Sequence, residues 1–445
     1  MAAARHPLSE HHARQSAQAQ SRTGNGSRPD GDGVRRSVGL GLITGAADND
    51  PSAIGTYATT GAKLGPSFLW AAPVAFPMMI AVVYLSSKLG LVAGQGLFAK
   101  IRANYSRWVL YPALVGVLIS NTIEAGADLG GMAAALRLLI PVPTEWIVVG
   151  TTFAILALQF WGSYSLIRNI FRWLALAMLA YIGSAALARP DLASVLRGTL
   201  IPTIHLNREF LSLLVAVIGT SLSAYLYTWQ SNVEVEEGIA GGRAGATERR
   251  RVTDRELKRA RWDTIVGMLF CSIVMYFIIL STASTLFPAG KTDINTAAEA
   301  AQALRPLAGN AAGLLFAVGV VAVGFLAVPV MTIGAAYDLA QTFGWKHGLH
   351  AKPSEAKKFY AAIFAVTLLG MSMNFFGLNP MKVLVWAGIV QGFSTPPLML
   401  LIMLMTNNKA IMGERVNSRP MNVLGWVTMT VIFAANIGLI VTWIV

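Results

Sequence analysis

Cysteine is almost missing from this chain. Cys271 is the only one in 445 residues, and it sits in an apolar run. That excludes a disulfide framework and a cysteine-built metal centre. A buried structural thiol is the plain reading. Charge is scarce as well: Asp, Glu, Lys and Arg together make up 13% of the chain, against about 25% in soluble domains. Hydrophobic residues make up 54%, and mean hydropathy is +0.55. A soluble domain is excluded, and a polytopic helical membrane protein is expected. No intact catalytic constellation is present, so the chain is not read as an enzyme. Tyr337-Asp338 has the form of one half of an intramembrane aspartyl protease pair, but the Gly-rich motif carrying a second Asp is lacking. Residues 1–37 have no apolar core and are rich in Ser, Gly, His and Arg. They are expected to form a disordered cytoplasmic tail, not a signal peptide, with His6, His11 and His12 solvated.

What is there is a series of apolar runs, each near the roughly 20 residues that cross a bilayer of about 30 Å. Eleven spans are expected, at about 39–60, 68–88, 109–138, 146–163, 170–188, 211–232, 264–287, 311–342, 358–377, 383–406 and 421–444. With the N-terminus inside, 27 Lys and Arg fall on the cytoplasmic side and 8 outside. That bias follows the positive-inside rule. It explains the net charge of +13 by orientation in a plasma membrane, with membrane lipid and not nucleic acid as the surrounding partner. The longest polar connection, Glu234 to Asp263, is expected to be a solvated loop ending in a short charged helix over Thr253–Arg261. Thr253 and Glu256 stand there in capping-box spacing. Glu234, Glu236 and Glu237 are expected to face water.

The first span breaks the rule for a membrane helix. In Thr44–Thr60, TGAADNDPSAIGTYATT, Asp48 and Asp50 interrupt a small apolar segment and Pro51 follows at once. A carboxylate at membrane depth costs roughly 2.5–3.5 kcal/mol and usually faces a partner or a wet cavity. Pro51 lacks an N–H and clashes with the preceding turn, so a helix break is expected beside it. Freed carbonyls next to a carboxylate suit a hard cation. In the third span Asn121, Glu124 and Asp128 fall at i, i+3 and i+7 and share one helical face, read as the polar wall of a cation vestibule. In the sixth span Gly219, Thr220, Ser221 and Ser223 form a small polar centre, where hydroxyls either satisfy bent-helix carbonyls or accept a break. Gln230 is placed along the path below it. If spans one to five and six to ten are inverted halves, about 38–190 and 210–406 with a final helix at 421–445, the two interruptions match and mark a substrate site. Asp338 is expected at the membrane interface, and Ser394-Thr395-Pro396-Pro397 is expected to kink the tenth span.

These residues together resemble the Nramp family of divalent-metal transporters over nearly all the spans. The resemblance is carried by Asp50-Pro51, by Gly219 to Ser231, by AAYDLAQTFGWKHGL in the eighth span and by Ser394 to Gly413 in the tenth. It implies a LeuT-like fold with broken first and sixth helices. The family's Asp-Pro-Gly-Asn reads Asp50-Pro51-Ser52-Ala53 here, so the Asn ligand is lost. Its Met-Pro-His reads Ser223-Ala224-Tyr225, without the thioether and without a His linked to proton transport. A second His aligns with Gln230. The third-helix Asp and Glu align with Ala125 and Asp128, while Glu124 is extra. Thioether favours softer metals, whereas carboxylate, carbonyl and water favour Mg²⁺ and Mn²⁺. The departures are similar to those of the Nramp-related magnesium transporters, which implies transport without obvious proton coupling. The absence of Pro at Ala224 cuts the other way, since it weakens the case for a break in the sixth helix.

The expectation is therefore an importer of Mg²⁺, and of Mn²⁺, working by alternating access. The ion is cargo and no cofactor is implied. Asp50 is the principal ligand. Carbonyls near Ala47, Ala53 and Thr220, with Ser223, complete the coordination directly or through water. Glu124, Asp128 and Gln230 attract the hydrated ion from further out. Two alternatives stay open: a proton-coupled Mn²⁺/Fe²⁺ carrier of the same family, and a sodium-coupled organic-solute symporter of the same architecture. Asp50 would repel the substrate carboxylate of such a symporter.

Overall fold

A computed structural model describes residues 40–161, 178–243 and 252–444. The expected tail at 1–37 lies outside the described residues, as do the first part of the fifth expected span, residues 170–177, and part of the long loop. Among the described residues the regular structure is entirely helical, and nine helical stretches are long and apolar enough to cross a membrane. They coincide with nine of the eleven expected spans. The tenth, at the start, is split into α1 (Leu40–Ala47) and α2 (Pro51–Leu64), neither long enough alone. The fifth is described from Met178 onward and contains α7 (Ala180–Leu187).

The helices that position the site are α3 (Ala71–Ala93), α4 (Leu97–Asn104), α5 (Arg107–Leu136), α6 (Thr144–Trp161), α8 (Leu192–Leu200), α9 (Arg208–Ser221), α10 (Ala224–Ala240), α11 (Asp254–Thr285), α12 (Ala312–Phe343), α13 (Lys357–Ser372), α14 (Pro380–Thr406) and α15 (Arg419–Ile444). The outward faces carry exposed apolar side chains such as Val115, Ile119, Phe153 and Leu269, with Trp108, Trp146, Trp161 and Trp262 near helix ends. That is the lipid-facing pattern, with aromatic residues at the interfaces.

Small residues seat both broken spans. A methyl group on Gly45 would lie 2.1 Å from the Gly267 carbonyl oxygen, and one on Gly267 would lie 1.8 Å from that of Gly41. The α1 backbone therefore rests directly on α11, the close approach that small residues allow in membranes. The Asp263 carboxylate accepts the Gly41 N–H at 2.6 Å and so holds the start of α1. On the other side, Gly219 of α9 meets Gly388 and Gly392 of α14, with a methyl at Gly219 reaching 1.9 Å from the Gly388 carbonyl oxygen. At the far end of α2, Lys63 pairs with Glu209 at the start of α9 (2.6 Å) and with Asp293 (2.9 Å). The Lys63 ammonium holds the Asp293 carboxyl below its ordinary range.

Two expectations change, one for Thr253–Arg261 and one for Glu236. Thr253 and Glu256 do form a capping box, but the charged segment they start is the first turns of the 32-residue α11, not a separate helix. α14 runs through Pro396 and Pro397. Pro396 has no N–H for the Gly392 carbonyl, and Asn436 of α15 donates to that oxygen at 2.7 Å instead. Glu236 does not face water: it is buried, and its carboxylate accepts the Tyr337 hydroxyl at 2.6 Å and the Leu349 N–H at 3.3 Å. The segment after α12 folds back over it.

The α1–α11 contact gives a direct test. Gly267→Ala forces the two backbones apart and is expected to destabilise the protein by about 1–3 kcal/mol. This is measurable as a lowered thermal unfolding midpoint in detergent, while Gly150→Ala, where a methyl meets nothing within 4 Å, leaves the midpoint unchanged.

Candidate metal site

The first break follows from one missing hydrogen. In a continuous helix the Ala47 carbonyl would bond to the N–H of residue 51, which is a proline. α1 stops at Ala47, and α2 starts at Pro51 with Asp50 as its N-cap. Asp50 Oδ1 accepts the Ala53 N–H at 2.7 Å and the Ser52 hydroxyl at 3.0 Å. The freed Ala47 carbonyl accepts the Tyr225 hydroxyl at 2.9 Å, and the same hydroxyl stands 3.1 Å from Asp50 Oδ2. Tyr225 thus ties the first break to the second.

The second break forms without proline. α9 ends at Ser221, and Ser223 is the N-cap of α10. Hydroxyls replace the missing backbone donors. Ser223 Oγ donates to the carbonyls of Gly219 (2.9 Å) and Thr220 (3.1 Å). The Leu222 carbonyl accepts Tyr227 Oη (2.8 Å) and Thr395 Oγ1 (2.9 Å). The Ala224 N–H donates to Gln391 Oε1 at 3.2 Å. Ala224 in the proline position therefore does not prevent the break.

The acidic face of α5 points at these breaks. Asn121, Glu124 and Asp128 have no exposed surface, so neither carboxylate is a solvated group at a helix end. Asp128 Oδ1 accepts the Ser52 N–H (2.9 Å) and hydroxyl (2.7 Å), so Ser52 bridges Asp50 and Asp128. Glu124 Oε2 accepts a hydrogen bond from Gln391. Glu124 Oε1 and Asp128 Oδ2 accept none among the described residues. Asp48, which had no assignable partner in the sequence, accepts the Cys271 thiol at 3.0 Å. Among the described residues no three His, Cys, Asp or Glu side chains converge as a ready-made ligand set. What the arrangement offers is one carboxylate at a helix break, backbone carbonyls, and further carboxylate oxygens beyond a serine bridge.

The expected site residues fall into two groups. Asp50, Ala47, Thr220, Ser223, Glu124 and Asp128 lie on α1, α2, α5 and α9 and at the start of α10, whose polar groups meet through Tyr225, Ser52 and Gln391. Ala53 is at the break, but it contributes its N–H to Asp50; its carbonyl belongs to the first turn of α2. Gln230 stands apart from the Asp50 contacts. Its amide accepts the Thr44 hydroxyl (2.7 Å) and donates to Glu234 (3.0 Å), which also accepts from Ser87 (2.6 Å). Asp338 is fully buried with the Thr228 hydroxyl as its polar neighbour. α12 continues past it to Phe343, close to the expected end of the eighth span, and packs against α10. Gln391 and Tyr225 were not expected at the site. Gln391 lies three residues before the Ser394-Thr395-Pro396-Pro397 run that drew notice, and a lone amide gave no separate signal.

The Asp48–Cys271 contact yields a second test. Cys271→Ala removes the side-chain donor to a buried carboxylate and is expected to destabilise the protein by about 1–3 kcal/mol. Cys271→Ser keeps a donor there and should recover most of that loss in the same thermal unfolding measurement.

Comparison with known proteins agrees with this construction. The family model described as natural resistance-associated macrophage protein-like, Nramp, matches residues 41–442. The divalent metal cation transporter MntH of Klebsiella pneumoniae (strain 342) is 27% identical over 412 residues, 91% of this chain and 93% of that protein. MntH of Deinococcus radiodurans is 29% identical over 414 residues, 91% of this chain and 90% of that protein. The crystal structure of the Eremococcus coleocola manganese transporter superposes with a TM-score of 0.69 at 17% identity, covering 93% of this chain and 88% of that one. At that identity the likeness speaks for the fold, and the fold is the expected LeuT-like one with discontinuous first and sixth spans. With a family model covering nearly the whole membrane region, the chain belongs to the Nramp family.

Proposed function

We propose that this protein carries divalent cations across the membrane by alternating access, with Mg²⁺ as its main cargo and Mn²⁺ as a second. The observation that supports this most is the chemistry of the side chains joined to Asp50. Ser52, Tyr225 and Asp128 bring hydroxyl and carboxylate oxygen, and neither thioether nor imidazole stands at positions 223 and 225. Oxygen donors favour hard cations. The relatives named for divalent metals and for manganese support the broader part of this reading.

In this reading Asp50 binds the ion, with the carbonyls of Ala47 and Thr220 beside it and Ser223 reaching it through water. Asp128 and Glu124 act through their free carboxylate oxygens on the ion's water shell. Ala53 holds Asp50 in place by its N–H. Gln230, held by Thr44 and Glu234, belongs to the closure on the Leu40 side and not to the ion's surroundings. The N-terminus is cytoplasmic, and residues 38–190 and 210–406 are the inverted halves that rock about the two breaks, followed by the last helix. With no histidine where the family places its two, transport runs without strong proton coupling.

Uptake into liposomes carrying an internal pH dye tests this directly. Mg²⁺ and Mn²⁺ are expected to enter without acidifying the lumen. Metal-driven proton entry with poor competition by Mg²⁺ would establish the proton-coupled Mn²⁺/Fe²⁺ alternative. Asp50→Ala should abolish uptake while the protein still reaches the membrane. Tyr225→Phe, which removes a hydroxyl from both Asp50 and the Ala47 carbonyl, should raise the half-saturating ion concentration about tenfold.

A further inference from the structure

A cavity of about 490 Å³ opens where α3, the first turns of α11 and the start of α15 meet. None of the candidate site residues lines it. Its floor carries Lys88, which is only 7% exposed. Lysine is almost never buried unless its charge is paired, and burial of an unpaired charge is costly. Yet the Lys88 ammonium meets only neutral oxygens: the Val416 carbonyl and Asn417 Oδ1, both at 3.0 Å. Among the described residues no carboxylate pairs with it. An ammonium has three N–H donors, and two are used.

The mouth of the cavity repeats the pattern. Arg261 is exposed, lines the cavity beside Tyr84, and has no ion pair among the described residues. The third cation, Arg415, is paired with Asp254, whose side chain is 94% exposed at the rim, and Glu414 is likewise on the exposed edge. Asp254 and Glu414 thus line the cleft at its exposed rim, and of its three cations Lys88 and Arg261 have no ion pair among the described residues. Leu257, Met421 and Leu424 give part of the remaining wall an apolar surface, beside Ser418. Trp262, next to Arg261, is 59% exposed, as aromatic residues are at the level of lipid headgroups.

We propose that this cleft seats the phosphate headgroup of an anionic phospholipid, with the Lys88 ammonium at its floor and Arg261 at its mouth. The phosphate supplies the counter-charge Lys88 lacks. Basic pockets between membrane helices suit such headgroups, and the apolar wall accommodates the glycerol and the first methylenes, which free phosphate does not have. Asp263, which holds the start of α1, lies two residues beyond Arg261. A bound lipid would therefore brace the segment that anchors the first broken span. The inference does not depend on which ion is carried.

The test uses the full chain purified in detergent and mixed with phosphatidylglycerol, phosphatidylcholine or inorganic phosphate, with retained lipid read by native mass spectrometry. Phosphatidylglycerol is expected to be retained in preference to phosphatidylcholine, and inorganic phosphate should not displace it. Lys88→Gln and Arg261→Gln should each weaken that preference about fivefold, as expected for one basic residue at an anionic surface. Equal retention of the two lipids, or an undiminished preference in both variants, overturns the proposal. Displacement of phosphatidylglycerol by inorganic phosphate overturns it in favour of a free-anion site. Should Lys88→Gln fail to fold, the exposed Arg261→Glu decides: it must abolish the preference.

Discussion

The Ala47 carbonyl has no N–H to bond with in its own helix, because position 51 is proline. Much of the site depends on that one unmet acceptor. It ends α1, makes Asp50 an N-cap and leaves an oxygen that must find a donor at membrane depth, where an unmet polar group is expensive. The donor is Tyr225, one residue into α10, and its hydroxyl also reaches Asp50. The second break is thereby tied to the first. It needs no proline of its own because side-chain hydroxyls of Ser223, Tyr227 and Thr395 bond the carbonyls that an interruption exposes. Proline breaks a helix by removing a donor; here the sixth span breaks because its acceptors are given better-placed donors from outside the ladder.

Around these breaks lies an excess of negative groups. Asp48, Asp50, Glu124 and Asp128 are all without exposed surface, and among the described residues none is paired with Lys or Arg. Their partners are a thiol, serine and tyrosine hydroxyls, an amide and backbone N–H groups. Neutral donors hold carboxylates in place without cancelling their charge. Unpaired intramembrane acids generally mark an ion pathway, and a serine bridge between Asp50 and Asp128 keeps two of them on the same object. Lys63, by contrast, meets two carboxylates at the far end of α2.

Spans and the first break were legible because both are local. A run of apolar residues and an Asp-Pro step each state their consequence within a few positions. So was the shared face of Asn121, Glu124 and Asp128, which is helix geometry alone. The partners were not legible. Cys271 lies 223 residues from Asp48, and Gln391 lies 267 from Glu124. No periodicity links such pairs. Ala53 and Gln230 show a different limit: Ala53 is at the break and Gln230 stands apart from it, and in neither case does sequence tell which atom faces where. Ala53 turns its N–H to Asp50, and Gln230 turns its amide to Thr44. Glu236 is buried where water is expected, because hydropathy marks where a helix loses apolar residues, not where a following segment folds back to cover it.

In the proposed reading, a preference for a hydrated ion follows from how many donors are already committed. Ser52 spends its hydroxyl on carboxylates, Ser223 on carbonyls, and Tyr225 on both. Each is needed to keep a helix end closed. In the proposed reading, that leaves Asp50 and the second lone pairs of the Ala47 and Thr220 carbonyls to touch the ion. Three protein oxygens are too few for a stripped six-coordinate cation, so water must fill the rest. Mg²⁺ gives up its water reluctantly and takes an octahedral shell of oxygens, so a site that asks for partial dehydration suits it. Glu124 Oε1 and Asp128 Oδ2, the two carboxylate oxygens with no other partner, are then acceptors for the water hydrogens. On this account Glu124 acts on the hydration shell and not on the metal itself.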